Sequence, residues 1–356
     1  MTFYQELQLN QAGSKAIIRD SQTRREKIYH TAVYLFKIAI TLIFCVFFVT
    51  AYSLIFGSDN SVVGVVVLLC LMVFRFADFG VRLKDSLGIL ALVFALMIIA
   101  PHAANSLGPI PGFFINAGAL LLIMLLGCHN PAMANHSTLV LGYLLLYGYD
   151  VSGHSFALRI PALALGGLLT IIVFYRNHKK SVSTKTFRAL LSEFHLSTNR
   201  SKWQLALMLC VPIVICIVEM AGIPRAMWAG IAAMSATIPF ISDMKLRVRD
   251  RIIGNIFGGC CFLALYFLLP ASIYAYVGVL GGIGVGFSAK YGWQSLFNTF
   301  GALAIAAQSF GLGQAVSLRI ATNIFGAVFA LIFCHLFHRL VSHFFVPCEI
   351  SNAARS

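Results

Sequence analysis

The sequence predicts an all-α integral membrane protein of about twelve transmembrane helices, arranged as two parallel six-helix repeats. Three observations predict it. Of 356 residues, 59% are hydrophobic and only 11% charged, with a mean hydropathy of +0.86, which leaves too few charges to coat a soluble globule. The apolar residues form long continuous runs without the period-two alternation of a barrel strand, so a transmembrane β-barrel is not expected. The chain also repeats itself. Arg82-Leu-Lys-Asp-Ser-Leu-Gly88 returns as Arg247-Val-Arg-Asp-Arg-Ile-Ile253, with Asp78 and Asp243 four residues ahead, and Leu158-Arg159-Ile160 with Gly166 returns as Leu318-Arg319-Ile320 with Gly326.

Residues 1–33 form a polar N-terminal arm, so no cleavable signal peptide is expected. Within it, 9–30 reads as an amphipathic basic helix on the inner membrane surface. The first repeat, 34–175, holds apolar runs at 34–57, 61–77, 84–101, 110–128, 136–149 and 155–175. A linker, 176–202, carries Lys179, Lys180, Lys185, Arg188 and Arg200, and its Phe187, Leu190, Leu191 and Phe194 recur at helical spacing. The second repeat, 203–341, holds runs at 203–221, 226–242, 252–269, 271–289, 294–309 and 315–341, and a tail follows at 342–356. The runs 136–149 and 294–309 are short, which suggests tilted, broken or re-entrant segments. An even number of spans before the linker gives both halves the same orientation.

Charge placement sets the topology. With the N-terminus inside, all of the 26 Lys and Arg except Arg159, Arg225 and Arg319 fall on the cytoplasmic side, which puts both termini in the cytoplasm of a multi-pass protein in a plasma or bacterial inner membrane. The net charge of +14 is therefore topogenic, with anionic lipid headgroups as contacts and no nucleic-acid partner. The nine cysteines, Cys348 included, lack the spacing of a zinc site or a disulfide framework. No cofactor, metal or enzyme is indicated, since nucleophile elbows, phosphate loops and paired intramembrane carboxylates are all missing from the sequence.

Four groups of residues could carry function. Asp78, Arg82 and Asp85, with Asp243, Arg247, Arg249, Asp250 and Arg251, form two charged cytoplasmic turns: either anchors that cap the following helices or a gate of Asp–Arg pairs. Arg159 and Arg319 sit in equivalent places near the outer edge. They either snorkel or face one cavity and recognise a carboxylate, for which the guanidinium fork is suited. Glu219 is the acidic residue placed inside a span and the first candidate for proton coupling. His129 and His136, in a cytoplasmic loop, are further candidates, although a loop histidine commonly faces solvent. The run Gly278–Gly286 marks a span that is either closely packed or unwound, and the Gly254–Gly258 spacing lets helices approach closely.

Met227-Trp-Ala-Gly-Ile-Ala-Ala-Met-Ser-Ala-Thr-Ile-Pro239, the basic segment Lys245–Arg251 and Ile-Ile-Gly-Asn-Ile-Phe-Gly258 together resemble the fusaric acid resistance protein-like (FUSC) and aromatic acid exporter superfamily, with Asn255 where Thr is usual. Leu318-Arg-Ile-Ala-Thr-Asn-Ile-Phe-Gly326 is similar to the family's final Arg-containing span. Arg247, Arg249, Arg251, Gly254, Gly258 and Arg319 fall on matching positions. The resemblance covers about 225–330 and implies a transporter exporting aromatic or other organic anions. Its alternatives are a passive organic-anion channel or a non-transporting scaffold of envelope assembly. A homo-oligomer is left open. The short linker argues against the periplasmic adaptor used by relatives with a large cytoplasmic insert.

Overall fold

A backbone in lipid has no water to bond to, so every N–H and C=O must be paired within the protein, and a helix pairs them within its own segment. The computed structural model describes residues 2–180, 183–274 and 276–344, apart from the side chains at 241, 242, 271, 342 and 344. Cys348 and the tail from 345 lie outside the described residues. Every regular element among them is helical.

The arm forms α1 (Phe3–Leu7) and α2 (Gln11–Asp20) ahead of the long α3 (Arg24–Phe56). Next come α4 (Ser61–Val73), α5 (Leu83–Leu107), α6 (Pro109–Leu122), α7 (His136–Gly148) and α8 (Gly153–His178). The linker carries α9 (Phe187–Ser192), on the apolar spacing read from the sequence. It is followed by α10 (Asn199–Met220), α11 (Met227–Ala236), α12 (Ile241–Leu268), α13 (Ala271–Tyr274), α14 (Val277–Phe287), α15 (Tyr291–Phe310) and α16 (Leu312–Phe344).

Among the described residues, 7 helices are long and apolar enough to cross a membrane: α3, α5, α6 with its extension to Gly127, α8, α10, α12 and α16. Three apolar segments, Ser58–Val73, α11 and α14, are shorter. The protein is an all-α multi-pass membrane protein. Helix α7 has 13 residues, about 20 Å of rise against the ~30 Å of a hydrocarbon core. Helix α15, at 20 residues, has the length to cross.

One expectation about the charged segments is corrected. Asp243, Arg247, Arg249, Asp250 and Arg251 do not form a turn, and Asp250 caps no helix, because α12 begins at Ile241 and runs straight through them. The chain breaks earlier, at Thr237–Phe240 around Pro239, and no Gly or Pro follows before Gly254. The first-half counterpart does open with a turn. There Gly80 has φ +71° and donates its N–H to Asp78 Oδ1 at 2.9 Å, and Arg82 is the N-cap of α5.

The described chain divides into two compact units. One comprises Val49–Lys245 with residues from Ile324 onward. In it α5 packs on α6, α7 and α8; α4 lies on α7 and α8; α10 lies on α6 and α11; and α11 covers α7. Helix α7 is enclosed, with Leu139, Val140, Tyr143, Leu144, Leu146 and Tyr147 all buried. Large apolar side chains point outward instead, Leu54 being 82% exposed, as expected where lipid is the solvent.

The other unit comprises residues to Phe48 with Leu246–Asn323. Its α14 and α15 pack closely. A Cβ at Gly281 would lie 2.7 Å from the Phe297 carbonyl oxygen and 2.8 Å from Phe300 Cβ. The glycine run of α14 therefore remains helical and serves close approach rather than unwinding. Helix α12 meets α15 through Gly254 and Gly258, where added Cβ atoms would stand 2.6 Å from the carbonyl oxygens of Gly292 and Leu296. Helix α2 is tied to α3 by Lys37, whose ammonium donates to Ser14 Oγ at 2.5 Å and to the Leu9 carbonyl at 3.0 Å.

Candidate functional site

In the larger unit, polar groups collect at both ends of the helices around α7. At the end where α8 begins, Arg159 is 2% exposed. Its Nε donates to Asn60 Oδ1 at 3.0 Å, its Nη2 to the carbonyls of Tyr149 (2.8 Å) and Asp59 (3.4 Å), and its Nη1 lies 3.7 Å from Asp150 Oδ1. Asn60 is itself held by donating to the carbonyls of Phe56 (3.0 Å) and Ser155 (2.9 Å). Asp150 also pairs with His102 at 3.0 Å, whose ring stacks on Phe156. The guanidinium fork thus joins three chain segments, with protein oxygens taking its donors.

Glu219 is the penultimate residue of α10 and accepts a hydrogen bond from the Tyr147 hydroxyl of α7. Beside it, Asn105 Nδ2 donates to the Tyr147 carbonyl at 2.9 Å. Arg225, a non-glycine residue at φ +60°, donates to the Gly148 carbonyl at 3.0 Å and lies over the Tyr149 ring. One turn back along α7, the Tyr143 hydroxyl donates to Asn116 Oδ1 of α6 at 2.6 Å.

At the other end of α6 and α8, the linker is stitched to the loops. Lys185 pairs with Glu193 at 2.8 Å, Arg200 donates to the Glu193 carbonyl at 3.0 Å, and His129 Nε2 lies 3.3 Å from both Glu193 Oε2 and Arg200 Nη1. Burial pushes the His129 imidazole below its ordinary pKa; Arg200 and Lys185 add to this, and Glu193 opposes it. The Lys185 hydrogen bond holds the Glu193 carboxyl below the usual carboxylate range, and the charges of Lys185, His129 and Arg200 add to it. His136 is buried too, its ring edge-on to Trp203 at 4.9 Å. Neither loop histidine faces solvent.

Nearby, the π-helical turn Ile123–Gly127 ends α6, and Gln204 Nε2 donates to the Met124 (2.8 Å) and Cys128 (3.2 Å) carbonyls. Asp85 accepts from Arg82 Nε and from the Phe187 N–H at the start of α9, each at 3.1 Å. It therefore caps the linker helix while sitting in the first turn of α5.

The smaller unit has a buried polar ladder of its own. Arg251 Nη1 donates to the Tyr291 hydroxyl and Nη2 to Asn323 Oδ1, both at 2.9 Å. Asn323 Nδ2 donates to the Arg319 carbonyl at 2.8 Å, and Arg319 itself is buried. Asn255 Nδ2 donates to Ser295 Oγ at 2.9 Å, and Thr299 donates to Asn255 Oδ1 at 3.1 Å. Arg247 lies over the Tyr291 ring at 4.0 Å, and Arg249 pairs with its neighbour Asp250 at 3.1 Å. Arg159 belongs to the larger unit and Arg319 to this one.

Sequence reading missed Asn60, Asn116, Tyr143, Tyr147, Ser295, Thr299 and Asn323. Except for Asn60, which stands in the polar turn Gly57–Ser61, their shared signal is an uncharged polar side chain set inside an apolar run, which charge counting passes over.

Buried polar groups inside apolar helices are costly in lipid and are kept where they are paired with one another or with backbone carbonyls. The family model described as fusaric acid resistance protein-like matches residues 213–333, which bears out the resemblance over that stretch. No curated protein and no solved structure matches the chain.

Proposed function

We propose that this chain exports small organic anions, aromatic acids among them, across a plasma or bacterial inner membrane along a path between two six-span halves. The match over 213–333 carries this reading. The ladder of Arg251, Asn255, Ser295, Thr299 and Asn323 supports it, because it lies within that stretch and places polar groups inside apolar helices. Helix order supports the repeats, with α3 to α8 answered by α10 to α16 when α13 and α14 stand for one span. Lys and Arg placement supports cytoplasmic termini.

Arg159 and Arg319 are the proposed anion-recognising residues. The loosest contact of Arg159 is the 3.7 Å pair with Asp150, so an incoming carboxylate would compete with Asp150 for Nη1 while the other donors keep the guanidinium in place. The charged segments at Asp78–Asp85 and Asp243–Arg251 would act as the inner gate, and Glu219, His129 and His136 as proton carriers. The test is efflux of radiolabelled benzoate or fusaric acid from proteoliposomes of the full chain. Flux above protein-free liposomes is expected, and Arg319→Gln should lower it about tenfold, the worth of one charge-assisted contact. Folded protein that moves neither acid would overturn the proposal. Flux indifferent to a proton gradient would identify a passive channel.

A further inference from the structure

Lys15 of α2 and Lys290, the N-cap of α15, line one cavity of about 370 Å³ with Phe287, Ser288, Trp293 and Phe297. A second, of about 360 Å³, shares Lys290 and Trp293 with it and continues between α12 and α15 past Asp250, Ile253, Phe257 and Leu296. All of these residues belong to the smaller unit. Each volume is that of a small-ligand pocket, and the shared pair joins the two into one groove.

Both lysines are exposed, and among the described residues neither ammonium has a hydrogen bond or an ion pair. Other cations of this unit are taken: Arg247 lies over the Tyr291 ring, Arg249 pairs with Asp250, Arg251 donates to Tyr291 and Asn323, and Lys37 is held by Leu9 and Ser14. Ser288 does not serve the lysines either, because its hydroxyl donates to the Gly284 carbonyl at 2.6 Å and its carbonyl accepts from Gln294. The groove thus offers two unspent positive charges.

Its walls change character along their length. Helices α12 and α15 run in the same direction, since Gly254 meets Gly292 and Gly258 meets Leu296. From the charged end inward, the groove passes from Asp250 and Lys290 to Ile253 and Trp293, then to Phe257, Leu296 and Phe297. Lys290 and Phe297 are separated by roughly 10 Å of helix rise. The groove lies on the exposed side of the helix pair, where Phe257 is 60% and Trp293 54% exposed, whereas Arg251, Asn255, Ser295 and Thr299 are buried. A small soluble anion would use only the cationic mouth. An amphiphile uses the apolar trough as well, and a tryptophan between the two is where interfacial aromatics sit.

The geometry points to a seat for one anionic phospholipid in this groove: Lys15 and Lys290 hold its phosphate, Trp293 stands at the level of its glycerol, and an acyl chain runs inward along Ile253, Phe257 and Leu296. A choline headgroup would bring its own cation against the two lysines, so the seat selects net negative charge. Charge counting gives a surface that attracts anionic lipid in general; the structure assigns one place. Lipid held there ties the N-terminal arm to α15, and the seat does not depend on what the protein transports.

Trp293 makes the test local, because Trp203 and Trp228, the other two tryptophans, are each 1% exposed. The full chain in phosphatidylcholine vesicles is titrated with phosphatidylglycerol brominated on its upper acyl chain, with brominated phosphatidylcholine as reference, and tryptophan emission is read. Quenching by the phosphatidylglycerol should reach its midpoint at a lower mole fraction, by about fivefold for each lysine. Lys15→Gln and Lys290→Gln should each lose about that factor, and Trp293→Phe should remove the selective quenching. Arg24→Gln with Arg25→Gln takes the same charge from residues that line neither cavity and should leave the preference intact. Equal quenching by the two brominated lipids would overturn the seat. So would an equal loss in the arginine and lysine double variants, which would make the attraction one of diffuse surface charge. Relief of the quenching by millimolar inorganic phosphate or benzoate would also overturn it, by showing a free anion as the occupant.

Discussion

Replacing Gly254 or Gly258 with Ala should destabilise the protein, although Ala is the better helix former by about 1 kcal/mol. A Cβ at either position would stand 2.6 Å from a backbone carbonyl oxygen of α15, where ordinary contact starts at 3.4 Å. Backbone cannot step aside as a side-chain tip can, so α12 and α15 would have to part by roughly 0.8 Å, an overpacking of the kind that costs about 1–3 kcal/mol. The same interface carries the Asn255–Ser295 hydrogen bond at 2.9 Å, which that movement would stretch to about 3.7 Å, past useful reach. Losing it, with the Ser295 bond to the Arg251 carbonyl, forfeits about 1 kcal/mol each. The net expectation is a loss of about 2–4 kcal/mol per variant, read as the midpoint of reversible unfolding of the full chain by SDS in mixed micelles. Gly301→Ala is the control: no heavy atom lies within 4 Å of its added Cβ, so it should gain up to about 1 kcal/mol. If Gly254→Ala and Gly301→Ala shift the midpoint in the same direction, the close approach of α12 to α15 is not what the glycines provide.

Two further perturbations act on the polar knots. Arg159→Ala leaves Asn60, the Tyr149 carbonyl and Asp150 without their buried donor, and the same unfolding assay should show a loss of about 3–5 kcal/mol; Arg159→Lys restores a charge but not the fork and should recover only part of it. His129 has a folded-state pKa below its unfolded value, so at low pH the unfolded chain binds the extra proton, and stability falls as pH drops below about 6.5. His129→Gln should make the melting temperature less sensitive to pH in that window. The contribution of Glu193, whose carboxyl is held low, is present above about 4.5 and disappears only as pH falls further through its folded value. An unchanged slope in His129→Gln would remove the imidazole as its source.

Helical class, the membrane setting and the linker helix were legible in the sequence because each rests on summed hydrophobicity or on period. The breaks were less so. The basic stretch at 243–251 repeats the Asp and Arg spacing of its first-half counterpart, yet only the first half has a glycine, Gly80, able to take the positive φ its turn needs. Burial of the loop histidines was hidden because it depends on partners far along the chain, Trp203 for His136 and Arg200 with Glu193 for His129. The charged residues Arg159, Arg319 and Glu219 stood out within apolar runs. Asn60 and Tyr147, which hold two of them, are ordinary in composition and become visible only when helices meet.

Helix α7, only 13 residues long, is enclosed by α4, α5 and α11. During synthesis it must therefore wait. Its neighbours α4 and α5 precede it, but α11 and the Glu219 partner of Tyr147 leave the ribosome only after the linker and most of α10. Until then, α7 presents Tyr143, Tyr147 and His136 to lipid or translocon rather than to protein. The first half is committed to the membrane before its central helix has the cover it will keep, so the linker also sets how long that helix stays unfinished.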